Sequence, residues 1–264
     1  MIDIHHHLLW DLDDGPDSPE ISFQMAAAAA RDGITHIVAT SHGNNFWRFR
    51  PDLVMERTDL LRRRLAAENI PLTLGAACDF HLSFDNIADA LLNPTLYSIN
   101  NGPYILVELP DFGIPSRLTE TFYEMQLAGL TPILTHPERN QTLQYSPDRL
   151  MDWLRGGMLI QITAASITGA FGRTAEKMAH KLLADDWVHF VSTDAHNLTT
   201  RPPVLSPARE WVANRHGREM AERLFVTNPL CVFVGRHLPP QPSPKRIYDN
   251  GIYKRSFLQR LFRR

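Results

Sequence analysis

Residues Met1–Gly15 read MIDIHHHLLWDLDDG. How this stretch is assigned decides how the rest of the chain is read. A short apolar strand, Met1–Ile4, runs into His5, His6 and His7. Side chains two residues apart on an extended chain point to the same side, so His5 and His7 present two imidazoles together and His6 faces away. Asp11, Asp13 and Asp14 follow in an acidic turn closed by Gly15-Pro16. Neutral imidazole and carboxylate are the usual ligands of Zn, Mn and Fe. Three histidines behind a strand-like MIDI do not resemble a purification tag. An HxH pair alone is a weak signal and also describes a solvated loop. Its meaning depends on whether later segments supply partners.

Working outward, Ser18 is an N-cap candidate and Pro19-Glu20 suit a first helical turn, giving a helix through the Ala26–Ala30 run to Gly33. Ile37–Ala39 read as a buried strand ending at Ser41-His42. Pro51–Asn69 read as an amphipathic helix with Leu53, Val54, Leu60, Leu61 and Leu65 on one face. Further strands are expected at Leu72–Ala77, leading into Cys78, Asp79, Phe80 and His81, and at Tyr104–Val107, Thr131–Thr135, Met158–Ile162 and Val188–Val191. Helices are expected at Ser116–Ala128, Asp148–Arg155, Arg173–Asp185, Pro207–Arg215 and Gly217–Phe225. Seven short apolar strands, most of them followed by a helix, signal a parallel sheet with helices outside. The spacing favours a distorted (β/α)7 TIM-like barrel over an open doubly wound sheet. No GxGxxG or GxxxxGK[ST] follows a strand, so a dinucleotide or P-loop site has no support. The barrel is expected over residues 1–240, with a basic amphipathic tail over 241–264 whose Phe257, Leu258, Leu261 and Phe262 fall at helical spacing.

The 264 residues carry 27 Lys+Arg against 29 Asp+Glu, a formal charge of −2, so no global field draws the chain to nucleic acid. Two distant cysteines, Cys78 and Cys231, support neither a disulfide framework nor a thiolate zinc site and fit a reducing cytoplasm. No stretch approaches the roughly 18 apolar residues of a membrane span. A cytoplasmic protein without a leader is expected.

The strand ends carry the chemistry. They supply His5 and His7 with Asp14, then His42, Asp79, Glu108, His136, and the i, i+2 pair Asp194 and His196. A single histidine at a strand end is ordinarily a hydrogen-bonded loop residue. Nine His and carboxylate side chains in phase at one rim are a different matter, because unpaired buried carboxylates repel one another and cations relieve that repulsion. They also exceed what one tetrahedral site uses, so two or three metals are implied. His6, His36, His180, His189, His216 and His237 lie off the rim pattern and read as structural or surface residues.

These residues resemble those of the polymerase and histidinol phosphatase (PHP) superfamily. Within it they resemble the bacterial tyrosine-protein phosphatases that act beside tyrosine kinases of capsule and exopolysaccharide synthesis. The motifs are MIDIHHH with DDGP, ATSH, CDFHL, LVELP, LTHPERN, and STDAHN followed by RPP, spread over residues 1–235. The resemblance implies a distorted barrel holding three divalent metals, with Mn foremost and Fe or Zn as alternatives. It implies His5, His7, Asp79 and Asp194 on the first metal; Asp79 as a bridge with Glu108 and His136 on the second; and Asp14, His42 and His196 on the third. The chain departs at Asp79, where many relatives have Glu. His81 is a neighbouring spare donor or second-layer residue, and Asp11 and Asp13 are rivals to Asp14.

The expected reaction is phosphotyrosine hydrolysis by a metal-bridging hydroxide, with Arg139 and Arg201 forking onto the phosphoryl oxygens. The expected substrate is a phosphotyrosine protein, such as a bacterial tyrosine kinase tail. A homo-oligomer is left open. Histidinol phosphatase, another small-molecule phosphoesterase and an amidohydrolase-like barrel are the rivals; the last usually has a bridging Lys where Glu108 stands. No Cys-x5-Arg loop supports a thiolate mechanism: Cys231 precedes Arg236 one residue short, in a segment that reads as an apolar strand. The loop GNNFWRFRPD, Gly43–Asp52, combines Phe46, Trp47 and Phe49 with Arg48 and Arg50. It either lines a cleft for an acidic peptide carrying an aromatic phosphoester or packs on the barrel edge.

Overall fold

Seven parallel strands pair in strict sequence order: β1 (Ile2–His6), β2 (His36–Gly43), β3 (Thr73–His81), β4 (Tyr104–Glu108), β5 (Thr131–Thr135), β6 (Leu159–Thr163) and β7 (Phe190–Ser192). The computed structural model describes residues 1–82, 84–110 and 113–247; the amphipathic part of the expected tail, from Tyr248 onward, lies outside them. Asp194 N–H donates to His5 O and His7 N–H to Ala195 O, both at 2.9 Å, so the segment after β7 laces back onto β1. A parallel bridge between His6 and Ala195 completes this closure. The expected (β/α)7 barrel is the observed fold.

Helices cover the outside. The first, Pro19–Arg31, starts as its sequence dictates: Ser18 Oγ accepts from Ile21 N–H at 3.4 Å and proline occupies the first turn. It ends before Gly33, whose φ of +89° suits a residue without Cβ. On helix Pro51–Ala67 the buried face is Val54, Thr58, Leu61 and Leu65, whereas Leu60, expected on that face, is exposed. Leu60 lies one residue before Leu61, about 100° round the helix from the buried stripe. Helix Phe84–Leu92 was not expected. The Cys231 segment is helix Asn228–Phe233, not a strand. Pro229 at its first turn favours a helix start.

Two apolar clusters divide the molecule. The larger lies between sheet and helices. The smaller fills the barrel interior with Ile2, Ile4, Val38, Ala77, Leu106, Ile133 and Phe190, joined by Val232 of the Asn228–Phe233 helix. Inward residues alternate along each strand, so the interior row continues from Val38 to His42, from Ala77 to Asp79, and from Leu106 to Glu108. β1 is the exception. Ile2 and Ile4 face inward, and strict alternation would next turn His6 inward. The β1–β2 register shifts between Asp3 and His6, which reverses the phase and delivers His5 and His7 instead. Asp3 locks the reversal: its carboxylate faces His6 Nδ1 at 3.1 Å and accepts from Thr193 N–H at 3.1 Å.

His189, expected to be structural, is buried where β7 begins. Its Nδ1 accepts from Ile160 N–H at 3.1 Å, so the ring is neutral. Burial and the Arg223 charge push its pKa down to about 4. An unfolded histidine titrates near 6.5, so between these values the unfolded chain takes up a proton that the folded one refuses. The ring's contribution is whole above pH 6.5 and lost as pH falls to about 4, ~3 kcal/mol in all. In urea denaturation, the stability gap between the parent and His189→Asn is expected to close by that amount from pH 7 to pH 4. A pH-independent gap would show that this ring does not titrate on unfolding.

Candidate metal centre

All nine expected donors meet at the C-terminal mouth of the barrel, where strand ends present side chains to one space. The β2–β3 register sets His42 beside Asp79, and β3–β4 sets His81 beside Glu108. Because β3 runs on to His81, Asp79 sits inside the ladder and not beyond it. Its shorter side chain still reaches: Oδ2 lies 3.5 Å from His5 Nε2, 3.8 Å from His7 Nε2 and 3.0 Å from His42 Nδ1. His136 and Asp194 follow their strands in left-handed backbone, with φ of 34° and 52°. This conformation is costly for a residue with Cβ and clusters at functional sites.

The spacing is that of ligands around a shared cation. A metal held at about 2.1 Å by tetrahedral N and O donors separates them by about 3.4 Å. His5 Nε2, His7 Nε2 and Asp194 Oδ1 form a triangle with sides of 3.2, 3.4 and 3.6 Å. His136 Nε2 lies 3.5 Å from Glu108 Oε1, and His42 Nδ1 lies 3.5 Å from Glu108 Oε2. Asp14 Oδ1 lies 3.3 Å from both His42 Nε2 and His196 Nε2. Four overlapping groups, His7-Asp14-His42-His196, His5-Asp79-His136, His5-His7-Asp194 and His42-Asp79-Glu108, each bring their donor atoms within 4.8 Å of one another. Asp79 Oδ1 is buried without a hydrogen-bond partner, and buried Asp79 Oδ2, His42 Nδ1 and His196 Nε2 face only other donors of this centre. Buried polar atoms are rarely left so. The donor set fits divalent cations.

Behind the donors, other groups fix the tautomers. His5 Nδ1 donates to Gln161 Oε1 at 3.0 Å, His7 Nδ1 to Asp13 Oδ2 at 2.7 Å and His196 Nδ1 to Asp194 O at 3.0 Å. Each acceptor is an oxygen without a proton, so Nε2 keeps its lone pair for the centre. Asp13, weighed above as a rival ligand, is thus an orienting residue; it also accepts from His42 N–H at 2.9 Å. Gln161 was missed. Its only sequence signal is an amide inside the apolar run Met158–Ile162.

The electrostatics favour added positive charge. Burial alone would lower His42, but Asp14, Asp79 and Glu108 around it raise its pKa to about 11. Burial likewise opposes protonation of His5, and Asp79 and Asp194 overrule it, to about 9. Burial raises Glu108 to about 8, reinforced by the Asp79 charge. Burial and neighbouring His196 push His7 down to about 3 despite Asp13.

Arg139 and Arg201 reach the same place. Both guanidinium groups pair with Asp194 Oδ2, Arg201 Nη2 at 2.5 Å. Arg139 also lies over the Phe171 ring at 4.4 Å. A cavity of about 420 Å³ at the centre is lined by His42, Glu108, His136, Arg139 and Arg201 together with Asn44–Trp47. Trp47 stacks on His42 at 5.5 Å, while Phe46 is 87% exposed. Cys78 is buried and its thiol is pushed well up by burial and by Asp79. That environment disfavours a thiolate nucleophile.

A seven-stranded barrel with imidazole and carboxylate donors converging at its mouth defines a class of barrel proteins built to hold catalytic cations. The chain belongs to the family described as "Capsular polysaccharide synthesis, CpsB/CapC", whose model matches residues 1–234. It is 35% identical over 250 residues to the tyrosine-protein phosphatase YwqE of Bacillus subtilis (strain 168), covering 93% of this chain and 98% of that protein. It is 30% identical over 242 residues to the tyrosine-protein phosphatase CpsB of Streptococcus pneumoniae, covering 89% and 98%. A solved structure from work on YwqE and CpsB, described as unique metal-dependent tyrosine phosphatases, matches with a TM-score of 0.85 at 34% identity, over 93% of this chain and 100% of that one. The lactonase Lmo2620 from Listeria monocytogenes, 15% identical with a TM-score of 0.55 over 89% and 95%, shares the fold. Among the described residues no helix is long and apolar enough to cross a membrane.

Proposed function

We propose that the protein is a metal-dependent protein-tyrosine phosphatase that uses three divalent ions, with Mn foremost. The observation that carries this reading is one cavity in which Glu108, His136 and Asp194 meet two guanidinium groups, Arg139 and Arg201. His5, His7, Asp79 and Asp194 would hold one ion, Asp79, Glu108 and His136 a second, and Asp14, His42 and His196 a third. When bound, such ions make a nucleophile available from water at neutral pH and neutralise phosphoryl charge. The chain's own part is positional. Each arginine has five N–H donors and uses only some of them on Asp194. Arg201 Nη1 also lies 3.9 Å from Asp14 Oδ2, and the remaining donors would fork onto phosphoryl oxygens. A tyrosine phenol, with a pKa of about 10, departs with less proton help than a serine alkoxide. The physiological substrate on this reading is the phosphotyrosine tail of a bacterial tyrosine kinase of capsule or exopolysaccharide synthesis, in the cytoplasm.

The test compares a phosphotyrosine peptide with histidinol phosphate in the presence of Mn²⁺. The peptide is expected to show kcat/KM higher by at least about tenfold, or ~1.4 kcal/mol of transition-state preference. Absence of phosphotyrosine turnover with Mn, Fe and Zn alike would overturn the reading. A preference for histidinol phosphate would reassign the site to small phosphate esters.

A further inference from the structure

The β2 end continues into Gly43–Arg50, a loop that none of the chemistry above requires. It is a built structure. Asn44 Oδ1 accepts from both Phe46 N–H and Trp47 N–H at 2.9 Å, and Asn44 N–H donates to Trp47 O at 2.9 Å. Asn86 Nδ2 donates to Gly43 O at 2.6 Å. Gly43 has no Cβ where one would sit 2.6 Å from Cys78 Sγ, so the loop root lies flat on β3. Phe49 turns inward against Tyr97, with ring centroids 5.5 Å apart.

Phe46 does the opposite. The same turn that fixes its backbone leaves its ring 87% exposed, propped against Trp47 at 6.1 Å. A lone exposed phenylalanine means little. This one lines the same metal-site cavity as Arg139 and Arg201. The organic part of a phosphate ester bound by those guanidinium groups would share that cavity with an aromatic ring whose backbone is already fixed. Aromatic pairs prefer offset or edge-to-face contact and gain stability beyond burial alone.

We infer that Phe46, backed by Trp47, is a specificity-determining platform that selects phosphate esters of phenols over those of alkyl alcohols at this site. The inference rests on the proposed phosphatase reading and names its selectivity. Trp47 also covers His42, so Phe46 is the residue to change. With its ring in solvent, its removal leaves no cavity in the fold.

The experiment measures binding of phenylphosphonate and methylphosphonate to the Mn²⁺-loaded full chain by calorimetry, alongside phosphotyrosine turnover. The parent is expected to bind phenylphosphonate about tenfold more tightly than methylphosphonate, the scale of one aromatic contact plus its buried area. Phe46→Ala is expected to cut that ratio to about twofold with methylphosphonate affinity unchanged, and Phe46→Trp to restore it. An unchanged ratio in Phe46→Ala, equal losses for both ligands, or no aryl preference in the parent overturns the platform. Intact turnover alongside any of those results leaves the phosphatase reading standing. An aryl preference that Phe46→Ala removes, in a parent that does not hydrolyse phosphotyrosine, supports the platform and sinks the phosphatase reading.

Discussion

Exhaustive chelation is expected to lower phosphotyrosine turnover by at least about a thousandfold, the scale on which loss of preorganised electrostatic stabilisation acts, and added Mn²⁺ is expected to restore it. The expectation follows from what the mouth of the barrel lacks otherwise. Cys78 is buried and its thiol pKa is pushed well up, which leaves no activated thiolate. Asp79 and Asp194 are held well below the ordinary carboxylate range: burial opposes this, and it is outweighed by His5 and His42 at Asp79 and by His5 and the two arginines at Asp194. They are therefore charged groups facing a phosphate that is itself an anion. Without metal ions, that repulsion is offset only by side chains already engaged with these carboxylates: Arg139 and Arg201 by Asp194, and His5 and His42 by Asp79. The fold itself should survive chelation, because the interior cluster from Ile2 to Phe190 lies below the donors and includes none of them. Ligands that bind only the folded chain raise its melting temperature, so Mn²⁺ should shift the midpoint upward along with activity. Full turnover by protein stripped to well under one ion per chain would end the metal-dependent reading.

Most donors were legible because they lie at or next to strand ends, and strand ends are written in short apolar runs such as YILV before Glu108 and TPILT before His136; Asp14 lies in the loop after β1. The reason they converge was less legible. Alternation along MIDIHHH gives the correct pair, His5 and His7, but counted from Ile2 and Ile4 it gives His6. Only the register shift against β2 reconciles the two, and a bulge depends on the partner strand. Gln161 escaped for a similar reason. An orienting hydrogen bond such as Gln161 to His5 spans 156 residues and leaves no local pattern. Helix Phe84–Leu92 was missed because the sequence before it continues β3 through His81. Helix Asn228–Phe233 was misread because a short apolar run is compatible with either element when its burial comes from one end of the barrel. Pairing of both arginines with one aspartate likewise belongs to the assembled mouth and not to HPERN or TTRPP.

His136→Ala is expected to remove turnover by at least about a thousandfold at saturating Mn²⁺, with a thermal midpoint within a few degrees of the parent. The imidazole is buried among Glu108, Arg139 and His5, and burial with the Arg139 charge holds it neutral, well below its ordinary pKa. A neutral imidazole facing a carboxylate at 3.5 Å is a donor to a cation and not half of an ion pair. The backbone at this position has its own partners: His136 N–H donates to Gln161 O at 2.8 Å, and His136 O accepts from Arg139 N–H at 3.0 Å. Truncating the side chain leaves both intact, which is why the fold should persist. The left-handed backbone, φ 34° and ψ 50°, separates a ligand role from a strain role. Glycine pays nothing for that conformation, whereas alanine pays about 1 kcal/mol. His136→Gly should therefore be more stable than His136→Ala by about that amount, yet equally inactive. Metal content per chain should fall in both variants. Parent-level turnover in either would remove His136 from the ligand set. Recovery in the glycine variant alone would show that the residue matters for its backbone and not for its ring.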